Sequence, residues 1–228
     1  MPHHVNGHNE SMDGRTERWR AHRIERREEF VDAALRALDK HGPDVAIAQI
    51  AAEARVAKPR LYRHFDDKAD LFGAVQDRIS KVLWTRLTAA LDPDDAPAHL
   101  VRHGLEAFLG VVDEYPNAFR LLMNPSSGSP RMIEDGRKIA DVLAALISGQ
   151  LATIGADTAG AEPWGHALAG AVGGATHWWL ERRSISKEAL IEHLSTVILG
   201  SLEAIARSAG VVIDLDRPIK SQTIRTVP

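Results

Sequence analysis

Three features of the chain predict an all-α protein. Apolar residues recur at spacings of three, four and seven along nearly every long segment. Apart from a short extended piece at Val211-Val212-Ile213, no segment reads as a strand, and no internal repeat is present. The breaks between periodic segments are clusters of Gly, Pro, Asp and Ser, which punctuate helices. The expected layout is a small N-terminal three-helix head containing a helix-turn-helix, followed by a larger C-terminal helical bundle.

Composition bounds the chemistry. The 228 residues suffice for a sizeable core, with 44% hydrophobic and 26% charged residues. The absence of cysteine excludes disulfides, thiol catalysis and cysteine-ligated zinc. The opening MPHHVNGHNE is polar and lacks the apolar core of a signal peptide. No run reads as long and apolar enough to span a bilayer; Ala167 to Leu180 comes nearest and is broken by Gly173, Gly174, Thr176 and His177. A cytoplasmic location is expected. The net charge of −3 argues against a general nucleic-acid coat, but its distribution is uneven. Residues 15–27 hold six arginines against two glutamates, a balance of +4, and residues 55–63 add Arg55, Lys58, Arg60 and Arg63 with no acid.

Residues 1–22 are expected to form a flexible basic arm, its arginines either frayed or extending the first helix. The first helix spans about Arg23 to Lys40, with Phe30, Val31, Ala34, Leu35 and Leu38 inward; His41-Gly42-Pro43 ends it. Ile47, Ile50, Ala51 and Ala54 form the stripe of the second helix, near whose start Asp44 is expected as a cap. A turn at Arg55-Val56 leads to a third helix from Lys58 to Phe65. Its Leu61 and Phe65 point inward, while Lys58, Arg60, Tyr62, Arg63 and His64 point outward. A short cationic helix of this kind suits the major groove of DNA. Asp66-Asp67 opens the fourth helix, whose apolar face is Leu71, Val75, Ile79, Val82, Leu83, Leu87 and Leu91.

Further helices are expected from the loop DPDDAP to Glu114, from Asn117 to Met123, from Arg131 to Ile154, from Trp164 to Arg182 and from Lys187 to Ala209. The segment Asn124 to Pro130 reads as a turn-rich loop, and 210–228 as a loose C-terminal tail. The domains expected are thus 23–70 for the head and 71–209 for the bundle.

The order Ile50, Ala51, Ala54, Val56, Leu61, Tyr62, His64, Phe65, Lys68 and Leu71 resembles the helix-turn-helix of the tetracycline-repressor-like (TetR) transcription regulators. The resemblance extends back through Phe30 to Leu35 and covers about the first third of the chain. It implies an all-α protein whose N-terminal three-helix helix-turn-helix head is followed by a C-terminal helical ligand-binding and dimerisation bundle. Three departures stand out. Val45-Ala46 replaces the family's usual threonine at the start of the second helix, Arg55 its usual turn glycine, and Ala57 its usual capping serine. Arg at a positive-φ turn costs ~1 kcal/mol, and loss of the cap about 1 kcal/mol more. Pro59 suits the first turn of the third helix.

The resemblance implies a set of partners: a double-stranded DNA operator with inverted-repeat symmetry, a second copy of the chain, and a small-molecule effector that releases the DNA. The residues expected at DNA are Arg55, Lys58, Pro59, Arg60, Tyr62, Arg63, His64 and Lys68, with Arg60 first for base contact and Tyr62, His64 and Lys68 on phosphates. The expected ligand pocket is Leu105, Phe108, Leu109, Phe119, Met123, Leu143 and Trp178, a hydrophobic lining suited to an apolar or amphipathic molecule. The small-residue run of the eighth helix and the excess apolar surface of the ninth place a dimer interface at Gly170, Gly174, Leu194, Val197, Ile198 and Leu202. No cofactor, metal site or catalytic residue is expected. Two rival readings are a metal-dependent enzyme using His99 and His103, one helical turn apart, and an apolar-ligand carrier with a vestigial head.

Overall fold

A computed structural model describes residues 9–123, 130–222 and 225–226, with side chains described for 21–123 and 133–222. The loop expected at 124–129, and the side chains of Arg15, Arg18 and Arg20, lie outside the described residues. The chain divides into two compact units, one ending at Val75 and the other beginning at Gln76. That boundary lies five residues beyond the expected 70/71, and the C-terminal tail belongs to the second unit.

The first unit holds α1 (Asn9–His41), α2 (Ile47–Glu53), α3 (Lys58–Leu61) and the start of α4 (Lys68–Ala90). α1 takes the second of the two alternatives for the arm: from Asn9 onward it extends the first helix, continuous with the segment that buries Phe30, Val31, Ala34 and Leu38. An alternation of Arg and Glu over 15–29 supplies no helix breaker, so nothing local stops the helix at Arg23. Gly42, at φ +81°, closes α1 by donating its N–H to the Leu38 carbonyl at 2.9 Å. α2 starts without the expected Asp44 cap; its N-cap is Ala46, whose N–H donates to Gln49 Oε1 at 2.7 Å. Glu53 clamps α2 to α1, pairing with Arg36 Nε at 3.1 Å and Lys40 Nζ at 2.6 Å.

The second unit contains the rest of α4 with α5 (Pro97–Glu114), α6 (Pro116–Met123), α7 (Pro130–Thr153), α8 (Ala161–Arg182) and α9 (Lys187–Ser208). α8 packs along α7, and α9 along α5. Ser186 caps α9 by accepting the Ala189 N–H at 3.1 Å. α8 ends at Arg183 in the left-handed region, φ +47°, its guanidinium 3.8 Å from the Trp179 ring centroid and 2.8 Å from Asp113 Oδ1. The Asp113 carboxyl is held below the usual range, first by the Arg183 hydrogen bond and then by the charges of Lys187 and Arg183.

The tail is folded rather than loose. Val211–Val212 (β1) pairs antiparallel with Arg225–Thr226 (β2), and Ile219–Ser221 forms a 3-10 turn between them. Val211 and Ile219 are buried, Leu215 accepts the Ala98 N–H at 2.9 Å, and Lys220 pairs with Asp94. Two isolated apolar anchors create no periodic pattern, which is why the sequence reads as tail. α9 also corrects the expectation about bilayer spans: by length and composition it is the one helix among the described residues that passes as a span. Its Leu190, Ile191, Leu194 and Ile198 are instead buried within the second unit.

α7 and α8 approach each other closely at Gly165. A Cβ there would lie 2.6 Å from the Ala140 carbonyl oxygen and 2.7 Å from the Ala144 nitrogen, both backbone atoms that cannot swing aside. Gly165→Ala is therefore expected to destabilise the protein by about 1–3 kcal/mol through overpacking, measurable as a lowered urea midpoint. Gly149→Ala at an exposed position of α7, where a Cβ meets nothing within 4 Å, serves as the control.

Candidate nucleic-acid interface and ligand cavity

The turn between α2 and α3 is set by backbone bonds. The Arg55 N–H donates to Ala52 O at 3.0 Å and the Val56 N–H to Ala51 O at 2.9 Å, with Arg55 at φ +56°. This is a Schellman closure with a non-glycine residue in its left-handed position. α3 then begins at Ala57 without a side-chain cap, with Pro59 in its first turn. Regular helix stops at Leu61, shorter than the expected Lys58–Phe65. Turn bonds continue it: the N–H groups of His64 and Phe65 both donate to Leu61 O. Leu61 and Phe65 are fully buried, and this leaves Arg55, Lys58, Pro59, Arg60, Tyr62 and Arg63 exposed on one segment.

Lys68 is also exposed, at the first position of α4, with its ammonium 5.2 Å from the Phe72 ring. α4 begins one residue after the expected Asp66-Asp67. Asp67 and Asp70 cap it instead: Asp67 Oδ1 accepts the Asp70 N–H at 2.8 Å, and Asp70 Oδ2 accepts the Asp66 N–H at 3.1 Å.

His64 departs from the expected outward, phosphate-holding role. It is half-buried, its ring lies 5.2 Å from that of Phe30, and its Nδ1 is buried without a hydrogen-bond partner among the described residues. Burial first, then the guanidiniums of Arg23, Arg27, Arg60 and Arg26, hold its imidazole below the usual histidine range. The ring packs against Phe30 beside these guanidiniums. Arg27, counted in sequence among the arm's cations, is a staple. It donates to the His64 carbonyl and to Asp70 Oδ1 at 3.1 Å, and its guanidinium lies 4.2 Å from the Phe65 ring centroid. No local pattern marks this role, because its partners lie 37 and 43 residues away.

The second unit encloses a cavity of about 510 Å³. Of the expected pocket residues, Leu105, Phe108, Phe119, Met123 and Leu143 line it. Leu109 does not: it is fully buried and off the wall. Trp178 does not either. It is 43% exposed on α8, whereas Trp179 is buried with its indole N–H on the Ile185 carbonyl at 2.9 Å. Sequence reasoning missed Ile79, Leu83 and Trp84 of α4, and the polar group Gln76, Ser80 and Asp135.

The expected dimer residues divide between two faces. Leu194 and Ile198 are buried inside the protomer, Ile198 on the cavity wall, and Leu202 is half-buried. Gly170, Gly174 and Val197 are exposed, Val197 at 55%. Within the protomer, a Cβ at Gly170, Gly174 or Gly200 would meet nothing within 4 Å. At His99 and His103, ring centroids are 6.1 Å apart, and His99 Nδ1 is 3.1 Å from Asp95 Oδ1. Asp95 also accepts the Ala96 N–H, which is the first cause of its lowered pKa, with the His99 hydrogen bond second. Among the described residues no three His, Asp or Glu side chains gather for a metal.

A helix-turn-helix with a basic exposed segment, carried on a chain whose other unit encloses an effector-sized apolar chamber, defines a class: DNA-binding regulators of transcription. Residues 30–75 match the family described as "Bacterial regulatory proteins, tetR family", and residues 86–212 match "Tetracyclin repressor-like, C-terminal domain". An "uncharacterized HTH-type transcriptional regulator" of Mycobacterium tuberculosis is 35% identical over 201 residues, covering 87% of this chain and 86% of that protein. A nucleoid occlusion factor SlmA from Shewanella woodyi is 31% identical over 101 residues, 44% of this chain and 51% of its own. Among solved structures, a TetR transcription regulator from Haloarcula marismortui superposes with TM-score 0.67 at 21% identity, over 79% of this chain and 98% of that one. A tetR-family regulator from Streptomyces coelicolor does so with TM-score 0.66 at 19% identity, over 80% and 84%. The chain belongs to the TetR family of transcriptional regulators.

Proposed function

We propose that this regulator acts as a repressor: a homodimer binds an inverted-repeat operator, and a hydrophobic or amphipathic small molecule in the second-unit cavity releases it. The observation that carries the reading is the exposed run Arg55, Lys58, Arg60, Tyr62 and Arg63, which the burial of Leu61 and Phe65 holds on one side of the helix-turn-helix. Cations there neutralise phosphates, and an Arg on a groove-facing helix pairs with guanine O6 and N7. Arg60 is assigned the base contact; Tyr62 and Lys68 are assigned phosphates. A ligand acts by favouring a protein state that holds DNA less well, by its difference in affinity for the two states. The class of protein fits a cytoplasmic location and gives no catalytic role.

Gel shifts with DNA from upstream of the protein's own gene test the reading. Arg60→Ala is expected to lose about 1–3 kcal/mol on the operator and to relax sequence preference. Tyr62→Phe is expected to weaken operator and unrelated DNA alike. Equal losses on both DNAs for Arg60→Ala would remove the base contact from Arg60, and no salt-sensitive shift on any promoter fragment would leave the carrier reading in its place.

A further inference from the structure

We propose that the effector is an amphiphile whose head is a protonated amine, held by Asp135 at the polar end of the cavity; this rests on the reading of that cavity as the effector site. Most of the remaining wall is apolar, including Leu83, Leu87, Leu105, Phe108, Leu143 and Ile198, and takes a hydrocarbon body. Asp135 lies on the same wall, with its side chain only 19% exposed. Two buried or half-buried donors of α4 orient it: Ser80 Oγ donates to Oδ2 at 2.5 Å, and Gln76 Nε2 points at the same oxygen from 3.5 Å. Both act on Oδ2. The other oxygen, Oδ1, faces Lys138 Nζ at 3.9 Å, beyond hydrogen-bond reach, and that ammonium sits nearer Glu134, at 2.9 Å.

A carboxylate with one lightly engaged oxygen, at the edge of an apolar chamber, favours a donor that brings positive charge and opposes a carboxylate or phosphate head. The other ionisable side chains on the wall are Arg137 and His166; Arg137 is exposed, and His166 lies 3.8 Å from Asp141. An anionic head would have to settle on Arg137, away from the Ser80–Asp135 pair.

Isothermal titration of the full-length protein with decylamine, decan-1-ol and decanoate, each below its micelle concentration at pH 7, separates the possibilities. The amine is expected to bind at least about tenfold tighter than decanoate, as a charge-assisted hydrogen bond predicts. Asp135→Asn is expected to bring amine and decanol within about twofold of each other, while Asp135→Glu keeps the amine preference; circular dichroism checks that each variant is folded. Decanoate binding as tightly as the amine in the wild-type protein, or an amine preference that survives Asp135→Asn, overturns the proposal while leaving the cavity reading in place. Failure of all three probes to bind overturns the cavity reading and this assignment with it.

Discussion

Val197→Asp is expected to turn the protein into a monomer and to cut its affinity for an inverted-repeat operator about 100-fold or more, because two linked heads gain that much over one. Val197 is the large apolar side chain most exposed on α9, at 55%. Its helix neighbours Leu194 and Ile198 are 6% and 8% exposed and satisfy the inward face, so α9 already has its intrachain partner in α5. Gly200 of α9 and Gly174 of α8 are exposed as well, with room for a Cβ at each, whereas Gly170 of α8 lies on the cavity wall. Glycine within a helix costs about 1 kcal/mol relative to alanine, and no close contact within the protomer requires Gly174 or Gly200. Trp178, also exposed, adds apolar area to the outward surface of α8. Light scattering coupled to size-exclusion chromatography measures the mass, and a gel shift the affinity. An aspartate there buries an unpaired charge if a partner covers the face, and costs little if water does. A Val197→Asp protein that stays dimeric would move the interface off this face.

Arg27→Met is expected to lower stability by about 2 kcal/mol and to abolish specific DNA binding, even though Arg27 is assigned no DNA contact. The side chain joins three elements: the carbonyl of His64 at the end of the recognition segment, Asp70 in the first turn of α4, and the face of Phe65. Hydrogen bonds to a charged group contribute about 1.5–3 kcal/mol each when protected. Here the pair is about one-third exposed, 33% for Arg27 and 35% for Asp70, so solvent screening reduces the sum. Methionine keeps much of the packing on Phe65 but leaves the His64 carbonyl and the Asp70 oxygens without this donor. Lysine keeps the charge but lacks the planar fork that reaches two acceptors at once, so Arg27→Lys is expected to fall between wild type and Arg27→Met. Urea unfolding reads the stability and a gel shift the binding. An Arg27→Met protein with unchanged stability that loses binding equally on every DNA would instead make Arg27 a phosphate ligand.

Much of the head was legible because its signals are local. The stripe Ile50, Ala51 with Leu61 and Phe65 marks the core side, and the cations around Arg60 fall opposite it by helix geometry alone. The left-handed Arg55 was legible through the resemblance, which puts a turn glycine at that position. His64 was not. Its i+3 position from Leu61 permits either face at the frayed end of a short helix, and the ring of Phe30, 34 positions earlier in the chain, draws it in. The cavity was half legible: Leu105, Phe108 and Phe119 read as apolar, but apolarity does not distinguish a core residue such as Leu109 from a wall residue.

The sequence by itself determined that the chain is helical, that its head is a helix-turn-helix, and where positive charge gathers, because helix period, turn chemistry and charge are properties of neighbouring residues. Only the tertiary structure decided which of two adjacent tryptophans is core and which is surface, that Ile198 faces a cavity while Val197 faces out, and that Asp135 meets Ser80. One step along a helix turns a side chain by about 100°. Which of the resulting directions meets protein, cavity or water is set by elements that arrive from far along the chain.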